Sequence, residues 1–360
     1  MSRLSRGTAL GAVGVMALVP AGMANAATKT VDMGVPVSAQ KQIGEKLGGD
    51  VNDYFPHAIT IHAGDSVKFA PVAFHTVEFP KRGAGATTLF APIGQKVTEN
   101  DPAGAPYWFS GLDAINFSPV FGKSSFGKKF TYTGKIGINT GVPTGSRQKP
   151  MTVKFPKAGS FTYFCNVHPG MKGTVRVVAK PRTIPTAKQD KKTVAAQVRR
   201  SINEVTALGK TTAPAGTVVV GPAGPHGSEV FSFVPAATTV PVGTTLTYAM
   251  PTRSWDIHTA SFGPDNPETP TPTGYLGTLV ASLNTPVIDQ AVVYPSDPPP
   301  GPTSVTQTSH GVGFWNTGIM DTSSRTTLPS SGSVTFAQPG TYNLYCLIHP
   351  FMHQVVTVTG

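Results

Sequence analysis

Two segments of this chain carry the same chemically active side chains at the same spacing: "FCNVHPGMKG" (164–173) and "YCLIHPFMHQ" (345–354). Each holds a Cys-x-x-His-Pro-x-Met frame, and Cys165 and Cys346 are the only cysteines among 360 residues. A disulfide between them would occupy both thiols but would not explain why each has its own His and Met. A thiolate, two imidazoles and a distant thioether form a ligand set that suits copper, because the sulfurs favour Cu(I) and imidazole serves both oxidation states. The frames offer Cys165, His168 and Met171 in one place, and Cys346, His349 and Met352 in the other. A fourth ligand must come from a separate strand, and His75 in "FHTVEF" and His258 in "IHTASF" stand in matching contexts. Structural zinc sites favour further Cys or His over Met. A binuclear copper centre would need two cysteines in one loop.

The elements that must position these residues are themselves duplicated. "VKFPKAGSFTYFCNVHPGMKGTVRV" (153–177) lies over "VTFAQPGTYNLYCLIHPFMHQVVTV" (334–358) without a gap, at a constant offset of 181. Upstream, "INTGV" (138–142) matches "WNTGI" (315–319), and "ITIHAGDSVKF" (59–69) echoes "TTVPVGTTLTY" (238–248). Order is kept while loop lengths drift, which is the mark of two copies of one domain. Phe161, Tyr163 and Cys165 alternate with Ser160, Thr162 and Phe164, so each cysteine is expected on a strand face shared with core aromatics. The same alternation puts His75, Val77 and Phe79 on one face of a strand. Gly64 and Gly243 mark turns before strands at Val67–Phe69 and Leu246–Tyr248. The chain reads as all-β, two tandem Greek-key sandwiches. Between them, Val194, Val198, Ile202 and Val205 fall at helical spacing, predicting a linker helix over 186–209 that lies against one or both domains. The expected division is 1–26 signal peptide, 27–180 first domain, 181–211 helical linker and 212–360 second domain.

The signal peptide is read from Arg3 and Arg6, an apolar stretch around Leu10–Pro20, and small residues ending at Ala26. That stretch is too short and glycine-rich for a membrane span, and no later segment is long and apolar enough for one. The expectation is an exported, extracytoplasmic protein without an integral span. The formal net charge of +11 is concentrated in part in 180–210. Without a basic-aromatic motif it does not indicate nucleic acid, and it fits solubility or attraction to anionic surfaces.

Both halves resemble cupredoxins, the family of plastocyanin, amicyanin and pseudoazurin, and the short Cys-x-x-His-x-x-Met loop is most similar to amicyanin's. The resemblance implies two type 1 (blue) copper sites, one held by His75, Cys165, His168 and Met171, the other by His258, Cys346, His349 and Met352. It also implies electron exchange with redox proteins or small molecules. One departure is that small blue copper proteins commonly place Asn after the first histidine, where it braces the thiolate loop; here Thr76 and Thr259 follow. Two-domain nitrite reductases and laccases share the architecture and add catalytic copper through extra histidines, typically in His-x-His pairs, and this sequence has no such pair. The remaining histidines, His57, His62, His226, His310 and His353, read as surface or loop residues. A third metal would require His226, His310 and His353 to converge. Electron transfer is therefore expected ahead of catalysis, with a multicopper enzyme or a copper-holding protein as alternatives. The long segments 80–137 and 263–314 differ from each other and are expected to cover sheet edges and shape docking, with Trp108 and Tyr294 as aromatic candidates.

Overall fold

A computed structural model describes residues 26–144, 148–269, 273–299, 303–323 and 326–360. The proposed signal peptide therefore lies, but for Ala26, outside the described residues. In the first half, one five-stranded sheet runs in the order Tyr54–Phe55, Thr28–Met33, Ser66–Pro71, Met151–Lys154, Lys129–Thr131. The facing sheet runs Ala58–His62, Lys172–Val178, Gly159–Phe164, Glu78–Phe79, Ile138–Asn139. The second half repeats both orders: Phe233–Val234, Thr217–Val220, Thr245–Ala249, Ser331–Phe336, Thr303–Val305 in one sheet. Its other sheet is Ala237–Pro241, His353–Thr359, Gly340–Tyr345, Ser261–Phe262, Trp315–Asn316. The chain is thus two tandem β-sandwiches with the same strand order, joined by a helix.

Alternation explains the sandwich interiors. Val67 and Phe69, Val153 and Phe155, and Tyr163 and Cys165 face inward and are buried, as are Leu246, Tyr248, Val334, Phe336, Tyr342, Leu344 and Cys346. Gly64 and Gly243 turn the chain with φ of +93° and +84°, a region that favours glycine. The first histidines are an exception to the expected pattern. The strands begin only at Glu78 and Ser261, so just before them His75 sits in irregular backbone and His258 in an isolated antiparallel bridge to Met320. Thr76 and Glu78 are buried as well as His75, Val77 and Phe79, because the insertion covers the face that alternation would leave to solvent.

The helix spans Ala187–Leu208 and starts at Thr186, whose hydroxyl accepts from Gln189 N–H in a reciprocal capping box. Val205 is buried, and Val194, Val198 and Ile202 pack on the same cluster with Val35, Ile43, Val51 and Phe55. Gln197 fixes the helix to the first half by donating to Asp53 Oδ2 (3.0 Å) and Tyr54 O (2.7 Å).

Two contacts lock the halves together. Gly49–Val51 pairs antiparallel with Ser228–Val230, placing Asp50 opposite Glu229. The long insertions also pack on each other, with Leu89, Val97, Tyr107 and Phe109 sharing a core with Ile257, Leu276, Leu279 and Phe314. Trp108 donates to Pro295 O and Tyr294 to Asp113 O, and their rings meet edge-on at 6.1 Å. Both aromatic candidates for docking are thus engaged in contact between the insertions.

Candidate metal centres

Each cysteine ends a core strand, and the chain then turns back on itself. Cys165 N–H donates to Met171 O (3.0 Å) and Met171 N–H to His168 O (2.9 Å); Cys346, Met352 and His349 repeat both bonds at 3.0 and 2.8 Å. The proline in each frame suits this turn, since its φ is fixed and it has no N–H to satisfy. The loop thus closes its own hydrogen bonds, and Met171 and Met352 return to the buried clusters that hold the cysteines.

The structure brings His75, Cys165 and His168 together as one buried group, and His258, Cys346 and His349 as another. In the first, His75 Nδ1 and His168 Nδ1 are 2.8 Å apart, and Cys165 Sγ is 3.5 Å from His168 Nδ1. In the second, Cys346 Sγ is 3.7 and 3.8 Å from Nδ1 of His258 and His349, which are 3.3 Å from each other. Two imidazole nitrogens and one sulfur converging at these distances, all able to act as ligands once deprotonated, suit a metal site. Burial alone would push the Cys346 thiol up, but hydrogen bonds and charge from His258 and His349 pull it down to about 5. Burial likewise opposes ionisation of Cys165, and His168 and His75 hold it well below the usual thiol range. Both clusters favour the thiolate, which is the form that binds soft metals.

Threonine takes over the bracing role at both departures. Thr76 and Thr259 donate backbone N–H to the sulfurs, at 3.4 and 3.3 Å. Their hydroxyls accept from the residue after each cysteine, Asn166 N–H and Leu347 N–H, both at 2.8 Å. The Asn-Thr-Gly motifs hold the adjoining strand: Thr140 and Thr317 hydroxyls accept from Val77 and Ala260 N–H at 2.9 Å.

Three neighbours of the clusters were not singled out in the sequence. Glu229 is fully buried and its Oε1 lies 2.8 Å from His258 Nε2. His75 Nε2 has no hydrogen-bond partner among the described residues; Gly34 backs it, and a Cβ there would sit 2.8 Å from that nitrogen. Asp256, 4% exposed, presents Oδ2 to His168 Nε2 at 3.4 Å and to His349 Nε2 at 3.3 Å. The imidazole edges that point away from the two clusters therefore face one carboxylate. Repeating "DVNDYFP" (50–56) over "EVFSFVP" (229–235) would have drawn attention to Glu229; nothing in the repeat marks Asp256, whose counterpart is Ala73.

The other histidines are dispersed. His57 pairs with Asp53, and His62 lies beside Asp65 and Arg182 O. His226 pairs with Glu204 of the helix, His310 with Asp101 of the first insertion, and His353 is exposed beside Tyr345. Among the described residues they form no third cluster. A cavity of about 830 Å³ opens between the halves, reaching His75, His168, His349 and Asp256 and walled by Phe117, Phe121, Leu283 and Leu347 among others. Among the described residues no helix is long and apolar enough to cross a membrane.

No protein-family model matches the chain, and no curated protein matches its sequence. Solved structures similar to it include amicyanin variants. One, a proline-to-glycine variant in its reduced Cu(I) form at pH 4, is 18% identical over 42% of this chain and 87% of its own, with a TM-score of 0.22. A reduced tryptophan-to-tyrosine variant is 20% identical over 41% and 86%, with a TM-score of 0.21. The fold assignment rests on the paired sheets, their repeated strand order and the ligand loops rather than on that overlap. Two buried His-Cys-His groups of this kind can bind two copper ions.

Proposed function

We propose that this chain is an exported electron-transfer protein with two type 1 copper sites, in domains 27–180 and 212–360 joined by the linker 181–211. The ligands are His75, Cys165, His168 and Met171 at the first site, and His258, Cys346, His349 and Met352 at the second. The observation that carries this reading is the convergence, twice, of a buried cysteine sulfur and one Nδ1 from a loop closed by its own hydrogen bonds with a second Nδ1 from a separate segment. Copper bound there supplies a one-electron Cu(I)/Cu(II) couple. The chain's part is to hold the ligands in place, so that little rearranges as the charge changes, and to keep water from the sulfur. Exchange partners are redox proteins or small molecules.

A second reading, oxidation of a small molecule, is favoured by the cavity that reaches three of the candidate ligands. Visible and paramagnetic-resonance spectra of the copper-loaded protein separate these possibilities. Two blue centres are expected, with Cys165→Ser and Cys346→Ser each abolishing one. A colourless protein with its thiols joined would overturn the copper assignment. Sustained hydroquinone consumption at the expense of dioxygen would favour the oxidase.

A further inference from the structure

The position of Asp256 has a consequence beyond holding two rings. Its Oδ1 is fixed by Ile257 N–H (2.7 Å), and the segment leading to it is fixed by Glu229, which accepts from Ser254 Oγ and Trp255 N–H, both at 3.0 Å. Trp255 in turn donates to Gly224 O and lies against Gly170 in the first ligand loop, where a Cβ would come within 2.6 Å of its ring. The second loop carries Phe351 at the equivalent place, which is 54% exposed. So the first loop is shaped to receive the segment that brings Asp256 between the domains, and only Oδ2 is left to face His168 and His349.

We propose that Asp256 wires the two sites into one electron-exchange unit, with electrons passing between them through His168, the Asp256 carboxylate and His349. This rests on the copper assignment above. Each imidazole turns Nδ1 to its own cluster and Nε2 to the shared oxygen, so the connection consists of two aromatic rings and two close polar contacts. In the exchange one site loses an electron and the other gains it. No bond forms or breaks, both Nε2–H groups keep their protons, and Asp256 stays a carboxylate. The same arrangement makes each site sense the charge of the other, because His168 and Asp256 are buried, His349 is mostly so, and screening is weaker there than in water. Asp256 acts through the histidines and is a positioning residue.

The test uses the full chain loaded at both sites. After a submolar pulse of photochemical reductant, a first-order redistribution of absorbance, independent of protein concentration, is expected between the two blue centres. Asp256→Asn keeps the side-chain volume and should slow that phase about tenfold or more, a size usual for partners just outside a metal's ligand shell. A phase of unchanged rate in Asp256→Asn with both blue bands intact, or its absence from the parent protein, overturns the proposal. If Asp256→Asn disturbs a site, the parent chain still decides. The reduction potential of the first site should shift when Cys346→Ser removes the second, and an identical potential overturns the wiring. Failure to form blue centres at all would refute the copper assignment, a result distinct from two blue centres that behave independently.

Discussion

His75 and His258 enter their clusters from equivalent places, yet their far nitrogens meet different surroundings. His258 Nε2 meets the buried carboxylate of Glu229, whereas His75 Nε2 rests against backbone at Gly34. Asp50 stands at the position equivalent to Glu229 and directly opposite it in the strand pair, but one of its oxygens accepts from the neighbouring Val51 N–H. Its side chain is one carbon shorter, which accounts for the difference in reach. A negative group beside one ligand favours the more positive state of the bound ion, so the second site should have the lower potential. Glu229→Gln keeps an oxygen for His258 and Ser254 and removes the charge, giving up the bond from Trp255 N–H. It should raise the potential of the second site, by on the order of 1–3 kcal/mol of preference for the reduced state, and leave the first nearly unmoved. Spectroelectrochemical titration of both blue bands measures this. Equal shifts at the two sites, or none, would contradict the asymmetry. The ligand types and spacing were plain in the sequence, and so was the threonine that follows each first histidine. Glu229 and Asp256 were not, because carboxylates contributed by a strand pair between domains leave no local pattern.

The elements show where periodicity suffices and where it does not. The helix was legible to within a residue at each end, since its apolar stripe and its Thr186–Gln189 cap are both local features. The sandwich strands were legible through alternation and through the repeat. The segments carrying the first histidines were not, because the strands start only after them, at Glu78 and Ser261, and cover by the insertion buries Thr76 and Glu78 along with the inward residues. The insertions, expected to cover sheet edges and shape docking, pack on each other and bring Glu99 close to Asp289. Glu99 is pushed up to about 7 by burial and by the nearby charge of Asp289, against a hydrogen bond from Gln290 N–H. Burial raises Asp289 as well. A carboxyl with a higher pKa folded than unfolded contributes stability below the unfolded value, and that contribution is lost as pH rises through the folded one. For Glu99 the window runs from 4.5 to about 7. Glu99→Gln should therefore change urea resistance little at pH 4 and increase it at pH 8, by only a fraction of the full linkage because the group is half-exposed. A variant equally affected at both pH values would show that Glu99 is ionised freely in the folded chain.

At the scale of the whole molecule, the duplication produces a pair of sandwiches facing each other across an antiparallel strand pair, with both ligand loops turned toward the junction. Two-domain chains often have modest interfaces, and their domains then unfold separately. Here the junction is a core in its own right. Phe109 from the first insertion is fully buried and stacks on Tyr294 of the second at 5.1 Å, in a cluster that includes Ile257 and Leu347, each next to a candidate ligand. The helix adds another shared cluster, in which Val205 meets Val51 and Val230 from the two sides of the strand pair. Opening the junction would expose both clusters at once, at about 25 cal/mol for every Å² of apolar surface. The copper-free chain should consequently melt in a single calorimetric transition. Phe109→Ala, which empties the middle of the shared core, should cost about 3–5 kcal/mol and move that transition down as a unit. If calorimetry instead resolves two transitions, or Phe109→Ala lowers the melting of one half while the other keeps its temperature, the halves are independent. The close approach of His168 and His349 to Asp256 would then be a docking that comes and goes rather than a fixed part of the fold.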